Sequence, residues 1–243
     1  MIDLHCHILP GIDDGALDLE DSIAMARVGA ADGVEVIAAT PHIRHDHDVR
    51  IGELAGRVDE VNHELLRTGL PVTIVTGGEL AETALDGLDE EELRAVSLAG
   101  AGWILLEPRP GPLEESLLRS VDRLHDGGFR ALIAHPERHL SNDLPRRIGQ
   151  LVERGALVQG TAAHLIQEET REGMLALASR GLIHVLASDA HSSHGGRPLR
   201  ISGGITALEG IEALRPHLDW IAREAPAAII RGEALEPPFP AAP

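Results

Sequence analysis

The chain has 243 residues, a formal charge of −18 at pH 7, two Trp, two Phe and no Tyr. That length suits one α/β domain with an aliphatic core, and the acidity argues against a nucleic-acid partner because no cluster of Lys or Arg offsets it. A single cysteine excludes an internal disulfide; with no basic-then-apolar leader and no apolar run of membrane-span length, the expectation is a cytoplasmic protein without membrane insertion.

The first expected element is a strand over Ile2–His5, where apolar Ile2 and Leu4 alternate with polar neighbours. Residues two apart on a strand share a face, so His5 and His7 project together at its C-terminal end. Cys6, between them, faces the other side and reads as a small buried hydrophobe. Further strands are expected near Val34–Ala39, Val72–Val75, Trp103–Leu106, Ala131–Ala134, Leu157–Gln159 and His184–Ala187. Helix-spaced apolar residues mark Leu19–Ala31, Gly52–Arg67, Glu114–Asp126, Leu144–Arg154 and Gln167–Ser179. Asp32-Gly33, Thr68-Gly69, Arg154-Gly155 and Arg180-Gly181 stand where those helices should stop. Strands alternating with helices predict a barrel or an open doubly wound sheet, and a count of seven strands favours an irregular barrel. The Pro-rich segment 236–243 is expected to trail along the surface, leaving 1–235 as the domain.

Polar residues recur directly after these strands: Thr40-Pro41-His42, Gly77-Gly78-Glu79, Glu107-Pro108, His135-Pro136-Glu137-Arg138 and Ser188-Asp189-Ala190-His191. In barrels and open α/β sheets, sites gather at the carboxyl ends of the strands, so these residues should converge. The candidate ligands are His5, His7, Asp14, His42, Glu79, Glu107, His135, Asp189 and His191. Nine nitrogen and oxygen groups exceed what one ion uses, which implies two or three divalent ions bridged by carboxylates such as Glu79. Imidazole and carboxylate without thiolate point to manganese, iron or zinc rather than a calcium cage. Neighbouring ions that acidify a bridging water and clamp an in-line displacement are the chemistry of phosphoryl-ester hydrolysis. Arg138 and Arg197 are spaced to meet the phosphate oxygens, which guanidinium forks match.

Asp3-Leu4-His5-Cys6-His7, Asp13-Asp14-Gly15, Thr40-Pro41-His42, Ala134-His135-Pro136-Glu137-Arg138 and Ser188-Asp189-Ala190-His191…Gly196-Arg197-Pro198 together resemble the polymerase-and-histidinol-phosphatase (PHP) superfamily. More narrowly, the chain is similar to the bacterial metal-dependent protein-tyrosine phosphatases encoded with capsule and exopolysaccharide genes, from Met1 to about Leu235. The resemblance implies a distorted (β/α)7 TIM-like barrel with a trinuclear, usually manganese-bearing site. By the same resemblance His5, His7, Glu79 and Asp189 hold one or two ions, and Glu107 and His135 a second. Asp14, His42 and His191 complete the cluster, and Arg138 and Arg197 bind phosphate. The implied substrate is a phosphotyrosine-bearing protein, such as the tail of a bacterial tyrosine kinase. Here His139 follows the Glu-Arg pair where the family often has an aromatic, and Pro108-Arg109-Pro110-Gly111 follows Glu107; both would flank the substrate mouth.

Plainer readings compete at several positions. Asp13 and Asp14 are adjacent and cannot point the same way; family position favours Asp14, leaving Asp13 to order the Gly15 turn. Glu79 could cap a helix, Glu107 could form a strand-end salt bridge, and Glu137 reads as structural. Arg44-His45-Asp46-His47-Asp48 reads as a solvated loop bordering the substrate, and Arg109 as an open candidate for a further contact. His164 follows a strand and stays undecided, while His63, His125, His184 and His217 read as structural. The competing functions are a small-molecule phosphatase such as one for histidinol phosphate, a nuclease, or a metal-binding module without turnover. The acidity counts against the nuclease, and the two arginines count against the module.

Overall fold

The computed structural model describes residues 1–195 and 197–241. Strands β1 (Ile2–Cys6), β2 (Val36–Ala39) and β4 (Thr73–Val75) pair in parallel in the order β1-β2-β4. Strands β3 (His42–Ile43), β5 (Glu79–Ala81), β6 (Trp103–Glu107), β7 (Arg130–Ile133), β8 (Leu157–Thr161) and β9 (Val185–Ala187) form a second parallel sheet in chain order. Past β9, the Asp189 N–H donates to the His5 carbonyl at 2.8 Å and the His7 N–H to the Ala190 carbonyl at 2.9 Å. The segment after the last strand therefore lies beside the end of the first.

The expected strands recur within a few residues of their reading, but β3 and β5 were not expected as strands. Each is short and follows a break: Thr40-Pro41 separates β2 from β3, and Thr76-Gly77-Gly78 separates β4 from β5. The second break needs its glycine. A Cβ on Gly78 would sit 2.8 Å from an Ile43 side-chain carbon and 3.1 Å from Val96 Cβ.

Helices α1 (Leu19–Ala31), α2 (Leu54–Thr68), α4 (Glu115–Asp126), α5 (Leu144–Val152) and α6 (Glu168–Ser179) match the periodic segments, with α3 (Glu90–Val96), α7 (Ser202–Leu208) and α8 (Ala225–Ile230) in addition. Local chemistry sets their ends. The Asp18 carboxylate accepts from the Asp21 N–H at the start of α1, and Asp89 and Glu92 form a reciprocal capping box on α3. Gly69, at φ 71°, ends α2 in the left-handed conformation.

Two apolar clusters follow from strand alternation. The larger joins the strands to the helices. The smaller gathers Leu4, Ala38, Trp103, Leu105, Leu132, Leu157 and Val185 from β1, β2 and β6 to β9, with Ala225 and Ile229 of α8 packed among them. Leu4 belongs to this smaller cluster and Cys6 to the larger, although they are two residues apart. A register irregularity between Asp3 and Cys6 supplies the half-step. The C-terminal segment corrects an expectation: Phe239 is buried against His184, His217 and Trp220 rather than trailing on the surface. The ring of Phe239 buries its apolar area there and so docks the Pro-rich segment. Ala242 and Pro243 lie outside the described residues, as does Gly196.

Candidate metal centre

All nine candidate ligands meet at the carboxyl ends of the strands, with Glu79 in the middle. Its Oε1 lies 2.6 Å from His135 Nε2 and 3.5 Å from His5 Nε2. Its Oε2 lies 2.7 Å from His42 Nδ1 and 3.4 Å from His7 Nε2. Asp189 Oδ1 closes the group from the far side, 3.4 Å from His5 Nε2, 3.7 Å from His7 Nε2 and 3.6 Å from His191 Nδ1. Asp14 Oδ1 reaches His42 Nε2 at 3.2 Å and His191 Nε2 at 3.6 Å, and Glu107 Oε1 stands 3.8 Å from His135 Nε2.

Backbone breaks aim these side chains. His135 and Asp189 adopt left-handed φ values of 33° and 50°, which non-glycine residues occupy at a cost and mostly at functional sites. His42 and Glu79 sit side by side in the β3–β5 pairing, so the two unexpected strands deliver adjacent donors.

The electrostatics are those of opposed charges in a dry site. Burial alone would depress His7, but hydrogen bonds to Asp13 and Glu79 outweigh it and lift the imidazole to about 10. Burial would likewise raise Asp189, yet His5 and Arg197 hold it near 2. Glu79 is held well below the usual carboxylate range against its burial by His5, His135 and His42. Burial dominates elsewhere. It lowers His135, raises Glu107 with help from Glu79, and, with His7 nearby, takes His191 down to about 4.

Among the described residues, Glu79 Oε2, Asp189 Oδ1 and His42 Nδ1 are buried and make no well-formed hydrogen bond. His42 Nδ1 and Glu79 Oε2 lie 2.7 Å apart without donor–acceptor alignment, as two lone pairs do when aimed at a shared cation. Three sets of donor atoms mutually within 4.8 Å recur: His7, Asp14, His42 and His191; His5, His7 and Asp189; His42, Glu79 and Glu107. The donor set of imidazole and carboxylate, with Cys6 Sγ turned toward the Ala190 carbonyl, fits several divalent cations.

Arg138 and Arg197 stand at the open side. Arg138 Nη1 is 3.3 Å from Glu107 Oε1 and Nη2 is 3.4 Å from Asp189 Oδ2; Arg197 Nη2 is 2.9 Å from the same Asp189 oxygen. Arg109 does not join them: its Nε is 3.5 Å from Glu82 Oε1. The 44–48 loop is more than solvated, since Arg44 Nη1 reaches within 3.7 Å of Glu107 Oε2 and the His47 ring lies 5.0 Å from His42. Glu137 is buried and accepts from the Thr161 N–H at 3.5 Å, and His164 bonds Thr170; neither enters the cluster.

Sequence reasoning assigned Asp13 to the turn alone. Asp13 does accept from the Gly15 N–H at 2.9 Å, but it also bonds His7 Nδ1 at 2.8 Å. Gln159, whose Oε1 lies 3.0 Å from His5 Nδ1, carries no local motif that marks it in the sequence. A cavity of about 990 Å³ runs along α1 past Ile23, Arg27 and Ile166 and contains none of the cluster residues. Converging donors, not volume, locate the site.

A parallel α/β fold with imidazoles, carboxylates and two arginines gathered at its strand ends defines a metal-dependent hydrolase class. The family model described as "Capsular polysaccharide synthesis, CpsB/CapC" matches residues 1–230. The chain belongs to the CpsB/CapC family. It is 35% identical over 202 residues to tyrosine-protein phosphatase YwqE of Bacillus subtilis (strain 168), covering 79% of this chain and 78% of that one. It is 28% identical over 213 residues to tyrosine-protein phosphatase CpsB of Streptococcus pneumoniae, covering 79% and 83%. A crystal structure from work on YwqE and CpsB, described as unique metal-dependent tyrosine phosphatases, superposes with a TM-score of 0.85 at 29% identity over 100% of both chains. A TatD-family hydrolase from Entamoeba histolytica shares the fold alone, with a TM-score of 0.56 at 10% identity over 95% of this chain and 97% of that one.

Proposed function

We propose that the protein hydrolyses phosphotyrosine on protein substrates, using two or three divalent cations. The observation that carries this is the placement of two guanidiniums between a buried donor cluster and solvent. The Arg138 and Arg197 side chains are 40% and 26% exposed, whereas the Asp189 side chain they meet is 1% exposed. A site that only stored ions would need no anion clamp. In this reading His5, His7, Glu79 and Asp189 hold one or two ions, Glu107 and His135 a second, and Asp14, His42 and His191 complete the set, manganese being the favoured metal. Bound ions would supply Lewis acidity toward the phosphoryl oxygens and activate the attacking water. Arg138 and Arg197 fork onto the non-bridging oxygens and offset the charge that grows on them. A phenolate departs without a dedicated proton donor.

The finer architecture belongs to the same proposal. β2 with β3, and β4 with β5, read as single strands broken midway, giving seven strands of a distorted (β/α)7 barrel of PHP type. The parallel pairing of β2 with β4 and of β3 with β5 supports that reading. Residues 1–235 form its domain, and the Pro-rich segment from 236 onward is a tail docked on it through Phe239. The CpsB/CapC family and its tyrosine-phosphatase relatives support a role in capsule or exopolysaccharide regulation; a cytoplasmic location and a tyrosine-kinase tail as substrate complete the proposed reading.

With Mn²⁺ present, purified protein should hydrolyse a phosphotyrosyl peptide faster than histidinol phosphate and lose activity in EDTA. Arg138→Ala and Arg197→Ala should each lower kcat/KM by about 10² or more while metal content, read by atomic emission, stays unchanged. Preference for histidinol phosphate would replace the substrate assignment, and inactivity with every metal would favour a binding module.

A further inference from the structure

The two histidines of β1 are each held from behind by a different side chain. His7 Nδ1 lies 2.8 Å from Asp13 Oδ2, and His5 Nδ1 lies 3.0 Å from Gln159 Oε1. Their other nitrogens face one point: His5 Nε2 and His7 Nε2 are 3.3 Å apart, with oxygens of Glu79 and Asp189 3.4 to 3.7 Å away.

The partners at the back can only accept. Asp13 spends Oδ1 on the Gly15 N–H at 2.9 Å and shares Oδ2 with the His42 N–H at 3.0 Å, both backbone donors that suit an ionised carboxylate. Gln159 presents an oxygen rather than an NH₂, because the same atom faces the backbone N–H of His135 at 3.4 Å. Its amide nitrogen points the other way, to Thr161 Oγ1 at 3.5 Å. Each imidazole must therefore carry a proton on Nδ1, which leaves the Nε2 lone pair for a cation.

We propose that Asp13 and Gln159 are positioning residues of the metal centre, each fixing the Nδ1–H tautomer of one strand-end imidazole so that both Nε2 atoms bind cations. This rests on the metal-centre reading above. The two partners differ in strength. A carboxylate behind His7 makes it the stronger donor, and a neutral amide behind His5 makes it the weaker. Asp13 also ties the loop after β1 to the first residue of β3, so one side chain aligns His7 and His42 together.

The test measures Mn²⁺ binding to the full chain by calorimetry, with Co²⁺ absorption as a spectroscopic readout of ligand geometry. Asp13→Asn places an NH₂ against a backbone N–H whichever way it turns; it is expected to weaken Mn²⁺ binding about 10–100-fold and to alter the Co²⁺ spectrum. Gln159→Glu keeps the shape and adds charge behind His5, so binding should tighten severalfold, whereas Gln159→Leu should weaken it. Mn²⁺ affinity within about twofold of the parent for a folded Asp13→Asn protein, with the same Co²⁺ spectrum, would overturn the proposal. If Asp13→Asn does not fold, Gln159→Glu decides, and unchanged affinity there overturns it equally. A parent chain that takes up neither ion sinks the metal-centre reading itself and the proposal with it.

Discussion

Glu79 touches four imidazoles at once, which no lone carboxylate in a hydrophobic core would do. Without cations these groups neutralise one another, and the consequence is a pH dependence that can be signed. His7 titrates at about 10 in the fold against 6.5 for a free imidazole, held up by Asp13 and Glu79 against its burial. His5 shifts in the same direction, through Asp189 and Glu79 against its own burial. A raised value means stabilisation that is complete below about 6.5 and is lost as pH rises through about 10. His135 and His191 are lowered and act below 6.5, so neither contributes in that window. EDTA-treated protein should therefore melt at progressively lower temperature between pH 6.5 and 10. Mn²⁺ affinity should rise over the same range, because the ion displaces the Nε2 proton. A flat melting profile across that window would contradict the pairing.

Short strands and the breaks between them decide where the donors point. The clearest case is Gly78, where any side chain would collide with Ile43 and Val96 just before Glu79. Gly78→Ala is expected to cost about 1–3 kcal/mol in urea denaturation, as overpacking does, and to weaken metal uptake by displacing Glu79. An unchanged unfolding midpoint would show that the β4–β5 break tolerates a methyl group. A second device operates across elements. Asp21, in the first turn of α1, accepts from Ser192 Oγ and from the backbone N–H and hydroxyl of Ser193, while Asp32 just past that helix accepts from the N–H groups of Ile201 and Ser202. The segment carrying His191 and Arg197 is thus pinned near both its ends to one helix.

Seen whole, the molecule stacks its chemistry at one end of the sheets and closes the apolar interior with α8 and the C-terminal segment. Phe239 stacks on His184 with ring centroids 6.1 Å apart and meets Trp220 edge-on at 5.4 Å. Phe239→Ala should cost on the order of 3 kcal/mol, a loss visible in the melting temperature, while metal content and low-temperature activity stay as in the parent. An unchanged melting temperature would mean that the segment adds nothing to the fold. The acidity of −18 is partly local, since bound cations would offset the carboxylates of the cluster.

By itself the sequence determined the strand-helix alternation, the nine converging donors and the two arginines. Those signals are local: hydrophobic period, turn residues, and polar groups placed just past apolar runs. The breaks that make β3 and β5 separate strands, the docking of Phe239, and the partners behind His5 and His7 were decided only in three dimensions. Gln159 stands 154 residues from His5, and nothing in its neighbours distinguishes it from any buried amide. Asp13 was visible as a turn former, but its bond to His7 exists because the chain doubles back over the end of β1. Contacts of that kind depend on tertiary packing, which residue periodicity does not encode.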